Sequence, residues 1–254
     1  MKTVMPLTTL SIFIFAASLT YAGTITGTVM YDGDAPARPK LTVSKDQHCI
    51  DSLKSAKSEA LVVSKGKGIK NVVVYLRARG ATPTTPAKNP VMDQIDCLYV
   101  PHVLVVTAGT TVDVQSSDPV AHNVHSHAKK NEAPNWQIPG PGKALPLKLE
   151  KREAIKFTCD IHNWMTGYIF VADNDYYAVT GYKDSNDKWI GSDSYEASSD
   201  TGGYSIKDVP AGKYRIQAWH EELGTTKAKA VEVAATGELK INFTNADFRK
   251  KSAK

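Results

Sequence analysis

An all-β chain of two successive sandwiches is what this sequence predicts, and three observations predict it. Val, Ile, Thr and Tyr recur in short alternating runs broken by Gly, Asp-Gly, Pro and Asn. No segment keeps a helical apolar period over three turns, and the polar break Asp173-Asn174-Asp175 parts two groups of such runs. Ahead of the first run come Lys2, an apolar stretch from Leu10 to Leu19 and the small-residue pattern Thr20-Tyr21-Ala22, the layout of a secretory signal (1–22) cleaved after Ala22. That stretch falls short of the roughly 20 residues a bilayer span requires. About 230 residues remain, enough for two modest domains, placed at 23–172 and 174–246, with a basic tail at 247–254.

In chain order the expected strands are Thr24–Met30, Leu61–Ser64, Asn71–Ala78, Val103–Val106, Thr111–Val114, Leu147–Leu149, Ala154–Thr158 and Tyr168–Val171. Then come Tyr177–Thr180, Gly203–Ile206, Lys213–Trp219, Thr226–Ala234 and Glu238–Phe243. Asp51–Ala60 is the one expected helix, short and peripheral. The Thr-, Pro- and Ala-rich connection Arg79–Asp96 is expected to lack regular structure. In the second unit, after a polar excursion from Gly181 to Thr201, V-P-A-G sets a turn, Pro restraining φ and Gly freeing it. The flanking strands turn Tyr204, Ile206, Tyr214 and Ile216 toward one face. This run resembles the small β-sandwich of transthyretin-like and carboxypeptidase-regulatory modules, which implies a structural or adhesive role. The opening I-T-G-T-V-M-Y-D-G, taken with Asn71–Leu76, has a similar pattern, which leaves open the unit on which the first strands pack.

Chemistry concentrates in Ile155–Phe170, I-K-F-T-C-D-I-H-N-W-M-T-G-Y-I-F, where Cys159, His162 and Met165 form a C-x2-H-x2-M loop closing a hairpin. Upstream, Ala121-His122-Asn123-Val124-His125 offers a further imidazole. Two imidazoles, one thiolate and a weak axial thioether are the ligand set of a blue copper electron-transfer site, here His122, Cys159, His162 and Met165. The H-N-V-H and C-x2-H-x2-M motifs together resemble the cupredoxin family, with a copper loop similar to that of amicyanin. The stretch from Cys97-Leu98-Tyr99-Val100-Pro101-His102 to Met165-Thr166-Gly167-Tyr168, with the later Gly-Tyr-Ser-Ile and Pro-Ala-Gly-Lys-Tyr, resembles bacterial secreted methylamine utilization-like cupredoxins. The resemblance implies a Greek-key sandwich, one copper per chain, a periplasmic or secreted electron carrier, and a redox partner of cytochrome c or dehydrogenase type. It also implies that Asn123 ties the two ligand-bearing loops together, that His125 is not a ligand, and that the His162 edge, beside Trp164, is the electron exit.

An odd cysteine count in an exported chain suggests one free or metal-bound thiol and one pair. With Cys159 on the metal, Cys49 and Cys97 are left to form a disulfide; the alternative is a second copper site using His48 and Cys49. No role is fixed for His102, His125, His127 or His220; a surface metal-binding cluster is one reading of the first three, and packing or pairing with Glu221 the reading of His220. Cations gather at Lys129, Lys130, Lys143, Lys148, Lys151 and Arg152. They are either a solvated face or, around Trp164, a rim steering an acidic redox partner. There is no glycine-rich phosphate loop, Ser-His-Asp arrangement, paired carboxylates at a pocket or nucleic-acid-binding motif, so the expected protein is not an enzyme. The competing class is a copper storage or structural envelope module.

Overall fold

A computed structural model describes residues 22–77, 82–181 and 192–249. The expected signal up to residue 21 and the last five residues of the basic tail lie outside them. In chain order the elements are β1 (Ala22–Met30), α1 (Gln47–Ser52), β2 (Val73–Arg77), β3 (Val91–Ile95), β4 (Leu98–Val100), β5 (Val103–Thr107), β6 (Thr110–Val114), β7 (His122–Ser126), β8 (Asn135–Ile138), β9 (Leu145–Leu149) and β10 (Glu153–Thr158). They continue with β11 (Thr166–Ala172), β12 (Tyr177–Val179), α2 (Ser192–Ala197), β13 (Gly203–Pro210), β14 (Gly212–His220), β15 (Gly224–Thr226), β16 (Lys229–Val233), β17 (Glu238–Lys240), β18 (Phe243–Thr244) and β19 (Phe248–Arg249). The fold is all-β.

Four sheets stack. The sheets β4-β3-β6-β9 and β5-β11-β10-β7-β8 enclose a core of Met92, Val112, Val124, Leu147, Ile155, Phe157 and Ile169. The sheets β13-β1-β17 and β12-β2-β14-β15-β19 enclose a second, of Ile25, Val29, Val74, Leu76, Ile206, Ile216 and Phe243. Between the two sandwiches Val73, Tyr75 and Trp219 meet Val103, Val105 and Phe170. This explains the unbroken apolar runs V-V-V-Y-L and V-L-V-V: a strand with sheets on both faces has no solvent side to demand alternation.

Several expectations are corrected. β1 hydrogen bonds to β13, β17 and β18, and β2 to β12 and β14. Residues 23–172 are therefore not one unit in their strand pairing, because the apolar faces of β1 and β2 are buried in the second core. Leu61–Ser64 is no strand and makes only the bridge Val63–Ile69. The connection Arg79–Asp96 contains β3, paired with β4 and β6; the Pro- and Thr-rich character ends at Pro90, and Met92 and Gln94 are fully buried. The helix begins at Gln47, after Asp46 at φ 58°, and ends where Asp51–Ala60 was expected to begin. Its anchor is buried Cys49, which lies ahead of the expected Asp51–Ala60 span. Within the polar excursion 181–201, α2 is held by Tyr195, fully buried; residues 182–191 lie outside the described ones.

Candidate metal centre

β10 and β11 pair antiparallel with Thr158 opposite Thr166, so the loop between them is closed at its neck. Within it Met165 N–H donates to His162 O (3.0 Å) and Cys159 N–H to Met165 O (3.4 Å), a tight turn that carries Cys159, His162 and Met165 inward. All three are buried, and so is His122 at the start of β7. Gly167, just past the loop, lets Tyr99 close in: a Cβ there would lie 2.6 Å from the Tyr99 Cβ. The Tyr99 hydroxyl in turn donates to the Thr158 carbonyl at 2.9 Å, one residue before Cys159.

The donor atoms converge. His122 Nδ1 and His162 Nδ1 are 2.9 Å apart, and Cys159 Sγ lies 3.7 Å from His162 Nδ1; His122, Cys159 and His162 form one buried group with ligand atoms within 4.8 Å of each other. Nitrogens ~2.0 Å and a sulfur ~2.3 Å from one ion, at angles near tetrahedral or trigonal, stand about 3.3–3.5 Å and about 3.5–3.7 Å from each other, so the sulfur spacing matches and the two nitrogens need to part by only about half an ångström to admit a metal ion. Met165 supplies a fully buried thioether on the same loop.

Asn123 links the two donor segments. Its backbone N–H points at Cys159 Sγ (3.4 Å), its Oδ1 accepts from Asp160 N–H, and its Nδ2 donates to Asp160 Oδ2 (3.1 Å) and to Asn135 Oδ1. The pKa values follow the contacts. Burial alone would lower His122, but the Asp118 carboxylate and Cys159 sulfur outweigh it and push it up to about 9. Burial and neighbouring His122 hold His162 below the usual imidazole range despite Asp46. Burial would raise the Cys159 thiol; hydrogen bonds from His122 and from the Asn123, His162 and Ile161 amides bring it below its ordinary value.

Two carboxylates at the centre had no recognisable sequence signal. His122 Nε2 is 2.8 Å from Asp118 Oδ2, and His162 Nε2 is 2.6 Å from Asp46 Oδ2. Asp118 stands four residues before His122, but an isolated Asp near a His-Asn pair is uninformative; Asp46 comes from 116 positions upstream of His162. Cys49 and Cys97 form a disulfide with Cα atoms 5.5 Å apart. That removes the alternative of a copper site at His48-Cys49: His48, Cys97 and Asp118 do cluster, but the sulfur is spent. Helix α1 is therefore not peripheral. Cys49 Sγ lies 3.9 Å from His162 Nε2.

The expected electron exit is closed: His162 has no exposed surface, because Asp46 and α1 cover its outer nitrogen. Trp164 packs 4.9 Å from the His162 ring and donates its indole N–H to the Cys97 carbonyl (3.2 Å), half-buried against the core. Lys129 and Lys130 are no rim around it. Their backbone N–H groups bond to Glu153, at the opposite end of β10 from Cys159, about 20 Å away at ~3.3 Å per residue. Elsewhere, His125 pairs with Asp160 (3.0 Å), and His127 stacks on His125 and bonds Thr158 Oγ1. His102 pairs with Glu221 and Glu59. His220 is packed rather than paired with Glu221.

No protein-family model matches the sequence, and no curated protein matches it. Solved structures similar to parts of it include a purple cupredoxin from Nitrosopumilus maritimus, 22% identical over 33% of this chain and 100% of that one, TM-score 0.29. A copper-containing nitrite reductase from Thermus scotoductus is 22% identical over 38% of this chain and 25% of that one, TM-score 0.32. A reduced amicyanin variant is 20% identical over 39% of this chain and 99% of that one, TM-score 0.31. No helix among the described residues is long and apolar enough to cross a membrane.

Proposed function

We propose that the chain is an exported type 1 copper protein of the cupredoxin kind, carrying single electrons between redox proteins, in which His122, Cys159, His162 and Met165 would hold one copper ion. The observation that carries this reading is the convergence of two imidazole nitrogens and one thiolate sulfur on one buried point. Bound there, copper would supply a one-electron couple. The chain's own residues do the rest. Cys159 presents a sulfur stabilised as thiolate by the hydrogen bonds around it, and Asn123 fixes the spacing of the His122 strand and the Cys159 loop. Donors held this firmly move little when charge changes, which is what rapid electron passage requires. Four protein donors leave no position for a substrate, so no enzymatic step is assigned to the centre. The Cys49–Cys97 disulfide supports an oxidising compartment.

A second reading, in which the metal is retained for storage or delivery, is favoured by the buried His162 edge. Copper loading separates the two. The carrier reading requires an intense visible thiolate-to-copper band in the Cu(II) protein, lost in Cys159→Ser, whereas retention requires only that copper bind; a wild type that binds no copper would overturn both. The carrier reading also requires reversible one-electron voltammetry and second-order oxidation by a small redox protein. A bound, blue but electrochemically inert centre would leave only retention.

A further inference from the structure

The outer nitrogens of both imidazoles face carboxylates, and a carboxylate only accepts. The ring nitrogen opposite each must therefore carry the proton. For His162 this sets the ring unambiguously: Nε2–H donates to Asp46, and Nδ1 is turned toward His122 Nδ1 and the Cys159 sulfur. For His122 the partner is Asp118, 3% exposed, whose two oxygens also accept the backbone N–H groups of Asp96 (2.6 Å) and Cys97 (2.8 Å) and whose Oδ1 meets His48 Nε2 at 3.2 Å. The two carboxylates are also joined to each other. Asp46 immediately precedes α1, α1 carries Cys49, Cys49 is bonded to Cys97, and the Cys97 amide sits on Asp118.

We propose that Asp46 and Asp118 are positioning residues of this centre, each holding the Nε2 proton of one imidazole so that both Nδ1 atoms meet the Cys159 sulfur, and that the Cys49–Cys97 disulfide locks the two carboxylates in register. The identity of the ion rests on the copper reading above; the placement of the imidazoles does not. A carboxylate on the outer nitrogen strengthens the inner one as a donor, and such partners typically contribute about 10- to 100-fold in metal affinity. A stronger donor favours the more highly charged ion, so removing the carboxylate raises the reduction potential.

The test uses the full mature protein labelled with 15N at histidine. In the metal-free wild type the His162 ring is expected as a single neutral tautomer, proton on Nε2; a proton on Nδ1, or a mixture, overturns the proposal whether or not copper binds. In Asp46→Ala, and separately in the Cys49→Ser/Cys97→Ser protein, the ring is expected to redistribute between tautomers. An unchanged tautomer in the first removes the role of Asp46, and in the second that of the disulfide. Asp46 is partly exposed, and Asp46→Asn keeps its shape and an acceptor. With Cu(I) competed against a chromogenic chelator, Asp46→Asn and Asp118→Asn are each expected to bind about 10-fold more weakly and with a raised potential. Unchanged affinity and potential in both variants, with wild-type copper binding intact, would reduce the carboxylates to structural pairing with no hold on the ion. A wild type that binds no copper but shows the Nε2–H tautomer would sink the copper reading and leave the positioning intact.

Discussion

His220 sits at 1% exposure in a site with no room for charge. Its Nδ1 accepts the Glu222 N–H at 3.3 Å, and its other nitrogen bonds the Lys70 backbone, so both are satisfied in the neutral ring. Burial, reinforced by nearby His102, pushes its pKa down to about 3 against that backbone bond. The unfolded chain takes up the proton near pH 6.5 and the folded one does not until about pH 3, so stability from this group is lost as pH falls below about 6.5. At ~1.4 kcal/mol per pH unit, the loss reaches about 2 kcal/mol by pH 5. Urea denaturation of wild type and His220→Asn at pH 7 and pH 5 checks this. The variant starts less stable, but the gap to wild type should narrow by about 2 kcal/mol at the lower pH; parallel losses would show that His220 is not the group titrating.

At the next scale, the β10–β11 hairpin depends on a contact with its neighbour β4. A methyl at Gly167 would press on the Tyr99 Cβ at 2.6 Å and on the first ring atom, Cγ, at 2.9 Å, and Tyr99 holds the Thr158 carbonyl. Gly167→Ala should therefore cost about 1–3 kcal/mol by overpacking and shift the charge-transfer band of copper-loaded protein. Gly203→Ala, with nothing within 4 Å of its Cβ position, should do neither. Thermal melts and visible spectra of the two variants decide it, and equal behaviour would mean that Tyr99 yields freely. The hairpin was readable from the sequence because its information is local: alternation in I-K-F-T and an apolar run in Y-I-F-V, with the donors at fixed spacing between them. Helix α1 was misplaced and thought peripheral because nothing near Asp46 signals a contact 116 residues away. A six-residue helix has too few turns to show a period. The packing of β1 and β2, which the sequence left open between the two units, falls to the second, since an apolar pattern shows that a face is buried but not against which sheet.

Across the whole molecule, the chain leaves one sandwich at Met30, delivers Asp46 and α1 to the candidate metal centre in the other, and returns at Gly68–Ile69, where Gly68 bridges Met30 and Ile69 enters the core it left. The cover over His162 thus has both ends anchored in a different sandwich from the site it closes. Besides its own contacts with the centre, it is held by the disulfide to Cys97 and by the layer where Tyr75 and Trp219 pack on Phe170, with ring centroids 4.9 and 5.5 Å away. If they act in parallel on one segment, loss of either should be buffered by the other, and loss of both should be more than additive. Trp219→Leu loosens the layer without emptying it. With the disulfide intact, it should change hydrogen exchange of the Gln47–Ser52 amides little. In the Cys49→Ser/Cys97→Ser background, the same substitution should speed that exchange markedly, with a coupling of about 0.5–3 kcal/mol between the two changes. Strictly additive exchange rates would mean that the layer between the sandwiches has no hold on the cover. Access to His162 would then be set by the disulfide and by the cover's own contacts with the centre, the Asp46 bond among them.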